Sequence, residues 1–243
     1  MERPQRYACE DQGYRWQTHR PLNCLVFILP LLAAFHAGVA SFGTDLMVPH
    51  YFHVVLRYFG ATGVHLPAAL IAAVLVGQHL LRREKWRVEM RVLAGMFVES
   101  ILWSLPLIAL SFLLPRTPGE LTTTAPGARG LLEQLTAAVG AGIYEEFFFR
   151  LVLITSAMLI FVNVFALRKA VVASAAVIVT AIAFSLCHLP AEQLTGQVSL
   201  NWNKCIFLFG AGLLWGVVFV FRGLGIAVGS HIFYNLYVLG VAQ

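Results

Sequence analysis

Glu145 and Glu146, followed by Arg150, stand inside one of the most apolar stretches of the chain, Ala137 to Leu167. An acidic residue at the centre of a membrane helix costs roughly 2.5–3.5 kcal/mol on insertion scales, so a functional role is its default reading. Two more polar clusters follow in apolar surroundings, Phe184-Ser185-Leu186-Cys187-His188 and His231-Ile232-Phe233-Tyr234-Asn235. Together they offer carboxylates, imidazoles and an amide. That set is sufficient for hydrolysis of a peptide bond by an activated water.

Helical spacing decides which groups can cooperate. Glu146 and Arg150 are four residues apart, share a face and can pair. In lipid such a pair relieves two otherwise isolated charges. Glu145 is rotated from Glu146 by about 100°, one step of an α-helix. It can therefore point elsewhere while Arg150 holds Glu146, which makes Glu146 and Arg150 site-supporting and Glu145 the candidate base. His231 and Asn235 also lie four apart on one face. Both can donate to a developing oxyanion, worth about 2.7–4 kcal/mol per donor in measured cases. His188, close to Pro190 at a helix end, can orient the attacking water with Glu145 or share its proton. Each cluster alone also has a plain structural reading, as a pair joining two helices or a hydrogen-bonded packing histidine. Three of them, in order, on three helices, favour chemistry.

These groups must be positioned by helices in a bilayer. The chain has 243 residues, 59% hydrophobic and only 12% charged, against about 25% charged in soluble domains. Apolar runs of about 20 residues recur, so the expected fold is all-α, a polytopic transmembrane bundle of about seven to eight spans. The candidates fall near 22–41, 63–81, 92–114, 130–166, 170–188, 204–221 and 225–241. The fourth exceeds one straight crossing at about 1.5 Å per residue, which predicts a broken or extended helix, with Gly140 or Gly142 as candidate bends. Val48 to Phe59 reads as an interfacial or half-length helix. Residues 1–21 form a cytoplasmic N-terminal segment, 22–129 the N-terminal helices and 130–243 the core carrying the three clusters.

The formal charge of +5 does not point to nucleic acid, because the basic residues bracket the apolar segments as the positive-inside rule expects. Arg82-Arg83-Glu84-Lys85-Trp86-Arg87 to Arg91, Arg168-Lys169 and Arg222 fall on the N-terminal side if the spans alternate. The expectation is a multi-pass protein of a bacterial cytoplasmic membrane with its N-terminus inside. The leader before residue 22 is long and contains Glu2, Glu10 and Asp11, so the first apolar segment reads as a retained helix and not a cleaved signal. On this alternation His188 lies near the outer face and His231 nearer the inner half of its helix, so a single site requires a broken helix, with Gly223 and Gly225 as candidates, or shifted boundaries. Cys9, Cys24, Cys187 and Cys205 show no metal or disulfide spacing. The other histidines and the Phe147-Phe148-Phe149 run read as interfacial or packing residues.

At its three clusters the chain resembles the CPBP family of intramembrane glutamic endopeptidases, which includes the eukaryotic CAAX prenyl endopeptidase and bacterial bacteriocin-processing or immunity proteins. The Glu-Glu-x-x-x-Arg motif stands as Glu145 to Arg150, Phe-x-x-x-His as Phe184 to His188 and His-x-x-x-Asn as His231 to Asn235. Gly212-Leu213-Leu214-Trp215-Gly216 through Gly223-Leu224-Gly225 is similar to the family's glycine-punctuated approach to the third motif. The likeness covers about residues 137–240, and Leu151 replaces a glycine that often follows the arginine. It implies a peptidase in which Glu145 with His188 activates water, His231 and Asn235 stabilise the oxyanion, and Glu146 with Arg150 holds the site. No metal or cofactor is implied. The implied partners are a membrane-associated protein or peptide substrate and the lipid bilayer, with no nucleic acid.

Two other readings remain open at this level. Glu145, His188 and His231 resemble a two-histidine, one-carboxylate zinc set with an open fourth position, although no His-Glu-x-x-His spacing is present. A non-catalytic immunity or scaffold protein could use the same fold to bind a peptide. A proton-coupled transporter fits less well, since no internal repeat is visible.

Overall fold

The computed structural model describes residues 13–43, 65–114 and 130–241, and these are helical with short connections. In chain order the helices are α1 (Tyr14–Gln17), α2 (Pro21–Phe42), α3 (Leu66–Arg82), α4 (Met90–Leu113), α5 (Leu131–Val164), α6 (Lys169–Cys187), α7 (Ala191–Leu194), α8 (Trp202–Arg222) and α9 (Leu224–Val241). Six of them, α2, α4, α5, α6, α8 and α9, are long and apolar enough to cross a membrane. The 17-residue α3 is shorter but travels between the same two ends as α2. Its start meets α2 where the His65 and His36 Nδ1 atoms lie 3.2 Å apart, and past its end Glu84 meets Arg20 at 3.1 Å. The protein is an integral membrane helix bundle.

Local sequence explains where the helices begin and end. Pro21 and Pro67 occupy the first turns of α2 and α3, where a missing N–H is harmless. Asn201 caps α8 by accepting from the Lys204 N–H at 3.1 Å. Gly223, with φ of +90°, turns the chain from α8 straight into α9. A side chain there would be strained by its backbone and would also meet the Thr18 carbonyl at 2.7 Å.

Helix α9 is the axis of the bundle. Of its span 61% is buried, against 22–39% for the other candidate spans, as expected of a helix that is apolar on all sides. Around it pack α2, α4, α5 and α8, while α6 lies against α8 and the second half of α5. The α6–α8 contact depends on glycine. A Cβ on Gly212 would come within 2.8 Å of the Ala181 Cα, and one on Gly216 within 2.9 Å of a Val177 methyl. Small residues that let two backbones approach are the usual means of helix association in lipid.

The basic end is stitched together by Arg20. Its guanidinium binds the Glu84 carboxylate and donates to the carbonyls of Lys85 and Arg87 at 2.6 and 3.0 Å. Arg222, at the end of α8, pairs with Glu99 and sits over the Tyr14 ring. Helix α1 with Arg20, the loop after α3 and the end of α8 thus share one end of the molecule, as the charge pattern predicts.

The long fourth span is extended, and it runs as regular α-helix through Gly140 and Gly142. Those glycines give close approach and no bend: a Cβ on Gly142 would lie 2.6 Å from an Ile232 side-chain carbon. The irregularity comes later, where Phe147–Ile154 and Leu159–Val164 are π-helical. Leu151 is buried in the main core with Ile143, Tyr144 and Phe147, so its place in the motif leaves no packing defect. The expected helix from Val48 to Phe59 lies outside the described residues.

Candidate active site

Five charged or imidazole side chains from three helices meet inside the bundle. Glu145 and Glu146 close the regular part of α5, and Arg150 follows in its π-helical stretch. Such wide turns are rare in helices and frequent at functional sites. His188 caps α6 and His231 lies in the middle of α9. All but His188 are at least 96% buried, and His188 is half-buried.

Glu146 organises the inner part of the site. Its Oε1 lies 3.1 Å from Arg150 Nη1 and accepts a hydrogen bond from His231 Nδ1 at 2.8 Å. Arg150 also donates from Nη2 to the Gly212 carbonyl at 3.2 Å, tying α5 to α8. Its guanidinium lies 5.0 Å from the centre of the Phe184 ring, 5.7 Å from Trp215 and 5.8 Å from Phe149. Aromatic faces of this kind attract a desolvated cation, each by about 0.5–2 kcal/mol.

Glu145 points away from that pair, as its helical offset predicts, and faces two imidazoles. Oε1 is 3.4 Å from His188 Nε2, and Oε2 is 3.6 Å from His231 Nε2. The other nitrogen of each ring is committed. His188 Nδ1 donates to the Phe184 carbonyl at 2.7 Å, and His231 Nδ1 donates to Glu146. A carbonyl or carboxylate oxygen carries no hydrogen to give, so these bonds fix Nδ1 as a donor in both rings. Each histidine therefore turns Nε2 toward the same carboxylate.

The mismatch in depth between His188 and His231 disappears without a broken helix. Helix α9 runs uninterrupted from Leu224 and includes Gly225. His188 instead folds back along α6, its ring tilted over Phe184 with centroids 4.3 Å apart. Side chains on a helix lean toward its N-terminus, so a residue at the end of α6 reaches one turn deeper than its Cα.

Asn235 lies one turn beyond His231, partly buried, and donates from Nδ2 to the Ala138 carbonyl of α5 at 3.0 Å. One of its two amide hydrogens is thereby used to join α9 to α5. Among the described residues no group of three His, Cys, Asp or Glu side chains is arranged to hold a metal ion.

A family model described as type II CAAX prenyl endopeptidase Rce1-like matches residues 127–237. Over that segment the chain is similar to the Rce1-like family. No curated protein and no solved structure matches the chain. The Rce1-like segment takes in Glu145, Glu146, Arg150, His188, His231 and Asn235, and it leaves α2, α3 and α4 outside.

One side chain within the Rce1-like segment was not legible as part of the site. The Trp215 indole stacks on His231 with ring centroids 3.6 Å apart and planes 12° from parallel. In the sequence it is one aromatic in an apolar run. The available signal was its position between Gly212 and Gly216, whose spacing puts all three near one face of α8. Phe184 was visible as the first residue of its motif, but its ring contacts with Arg150, Phe149, His188 and Trp215 were not.

Proposed function

We propose that this protein is an intramembrane endopeptidase of the glutamic type, acting on a membrane-associated protein or peptide. The observation that carries the reading is the convergence of two imidazoles, each anchored through Nδ1, on the single carboxylate of Glu145. A water beside Glu145 gives up a proton to that carboxylate and attacks the scissile carbonyl carbon. His188 holds the water in line. The carbonyl oxygen becomes an oxyanion, which His231 Nε2 and the remaining Asn235 amide hydrogen stabilise by donation. Glu145 then passes its proton to the departing amine as the C–N bond breaks, the acid half of general acid–base catalysis.

To donate from Nε2 while Nδ1 serves Glu146, His231 must carry both ring protons. Glu146 is the counter-charge beside it, and Arg150 keeps Glu146 in place. The basic residues gathered around Arg20 and Arg222 support an N-terminus on the cytoplasmic side. The mechanism uses no metal, so chelation of the purified protein leaves turnover unchanged; loss on chelation with recovery on zinc would replace it with the metallopeptidase reading.

The direct test compares protein termini in membranes from cells carrying the wild type or Glu145→Gln at equal abundance. New termini that appear only with the wild type identify both substrate and scissile bond. Identical termini, with the cellular phenotype retained, would move the assignment to a binding or immunity protein.

A further inference from the structure

Resting on the peptidase reading of this site, we propose that Trp215 is a positioning residue for His231: its indole face sets the plane of the imidazole so that Nε2 stays aimed at the reaction centre. The hydrogen bond from His231 Nδ1 to Glu146 fixes one point of the ring. A ring held at one atom can still rotate about that bond and about its own χ angles, which swings Nε2 through an arc. A second constraint is required, and among the described residues the closest ring to His231 is Trp215. Their centroids are 3.6 Å apart and their planes nearly parallel, whereas Phe184 approaches His231 edge-on at 6.3 Å.

The indole is itself held firmly. It is 2% exposed, lies edge-on to Phe184 and Tyr234, and has the Arg150 guanidinium over its ring. Gly212 and Gly216, one turn before it and one residue after it, allow α8 to press against α6, so the helix that carries Trp215 has little room to shift. The indole N–H has no hydrogen-bond partner among the described residues. What this tryptophan supplies to His231 is therefore its flat face and not its donor. The consequence is specific: another flat ring can replace it, and an aliphatic side chain of similar bulk cannot.

The test uses full-length protein in detergent micelles with Trp215→Phe, Trp215→Leu and Trp215→Met beside the wild type. The activity probe is a quenched fluorescent peptide spanning the bond found by comparison of termini. Trp215→Phe should keep kcat within about threefold, and Trp215→Leu and Trp215→Met should lose about 10- to 100-fold in kcat, the scale expected for a misplaced catalytic group. KM should stay within about twofold in all three, because ground-state binding is not involved. A second readout needs no substrate: with 15N-labelled histidine, the His231 Nδ1 proton bonded to Glu146 should give one sharp low-field signal in wild type and Trp215→Phe and a broadened one in the aliphatic variants. If either aliphatic variant fails to fold, the other and the histidine signal decide. Equal kcat in all variants with an unchanged histidine signal would overturn the proposal and leave the peptidase reading intact. A wild type that cleaves nothing would remove the peptidase reading, while the histidine signal would still decide the role of Trp215.

Discussion

Two clusters in this bundle join a glutamate to an arginine among apolar helices, and they differ in how completely they are satisfied. At the basic end, Glu99 of α4 accepts from Tyr14 at 3.0 Å, Trp103 at 3.1 Å and Arg222 at 2.6 Å, with a second Arg222 contact on its other oxygen. Arg222 Nε makes no hydrogen bond there, but it is paired with the other Glu99 oxygen, so both carboxylate oxygens are engaged. In the interior, Glu145 faces two imidazoles at 3.4 and 3.6 Å, beyond the usual 2.7–3.2 Å of a protein hydrogen bond. Glu146 Oε2, Arg150 Nε and the Trp215 indole N–H have no hydrogen-bond partner among the described residues. An unmet buried polar group costs about 1–3 kcal/mol, and these belong to side chains in one cluster, with Arg150 paired to Glu146 and its guanidinium 5.7 Å from the Trp215 ring. The first cluster fastens helices; the second is buried more deeply and is the one proposed above to serve a reacting molecule.

The sharpest way to break the comparison is to neutralise each glutamate in the same manner. Glu145→Gln keeps the shape and removes the proposed base, so cleavage should fall by about 10²- to 10⁴-fold, the usual contribution of general acid–base catalysis. The melting temperature should hardly move. Glu99→Gln should do the opposite, lowering thermal stability while cleavage by the folded fraction is kept. Turnover retained in Glu145→Gln, or lost in folded Glu99→Gln, would erase the distinction.

Arg150→Ala tests the supporting half of the interior cluster. Removing one partner of a buried ion pair typically costs 3–5 kcal/mol, and here it also deletes the bond to the Gly212 carbonyl. The amount of folded protein should drop sharply. Adding Glu146→Gln should recover much of that stability by discharging the orphaned carboxylate, yet leave activity low, because Glu146 also orients His231. Unchanged abundance and thermal stability in Arg150→Ala would contradict the supporting role. Asn235→Ala should follow, with kcat reduced by about 10²- to 10³-fold if its free amide hydrogen reaches the oxyanion. Wild-type kcat in that variant would confine Asn235 to its contact with Ala138.

The contrast also explains what could be read from the sequence. Glu145, Glu146, Arg150, His188 and His231 were legible because a charge or imidazole in an apolar helix is costly and rare, and helical spacing predicted that Glu145 and Glu146 diverge. The same reasoning applied to Glu99 would have found the second cluster; Trp103 is its local partner four residues on, but Tyr14 and Arg222 come from distant segments, so no local motif announces them. The span pattern gave the bundle because long apolar runs force helices in lipid. The wide turns after Glu146 were not legible, since nothing in a run of phenylalanines distinguishes a π-helical from an α-helical backbone. Nor was the back-folded His188 ring, which depends on a rotamer and not on residue order. Trp215 stayed hidden for a related reason: its importance lies in the orientation of one ring over another.

The smallest effect belongs to the rim of the Glu99 cluster and has a definite pH signature. Burial, followed by the hydrogen bond to Glu99 and that group's charge, pushes the Tyr14 phenol from 10.0 up to about 12. A group whose folded value is raised contributes stability fully below its unfolded value and loses it as pH rises through the folded one. The Tyr14 contribution should therefore be constant below about pH 10 and vanish toward pH 12. Tyr14→Phe deletes the donor, at a cost of about 0.5–1.5 kcal/mol for one hydrogen bond. Thermal melts of wild type and Tyr14→Phe should run parallel from neutral pH to about pH 10 and converge above it, with peptide cleavage alike in both. Convergence already near neutral pH, or a loss of cleavage in the variant, would mean that the basic end is coupled to the chemistry and does more than fasten α4 to α8.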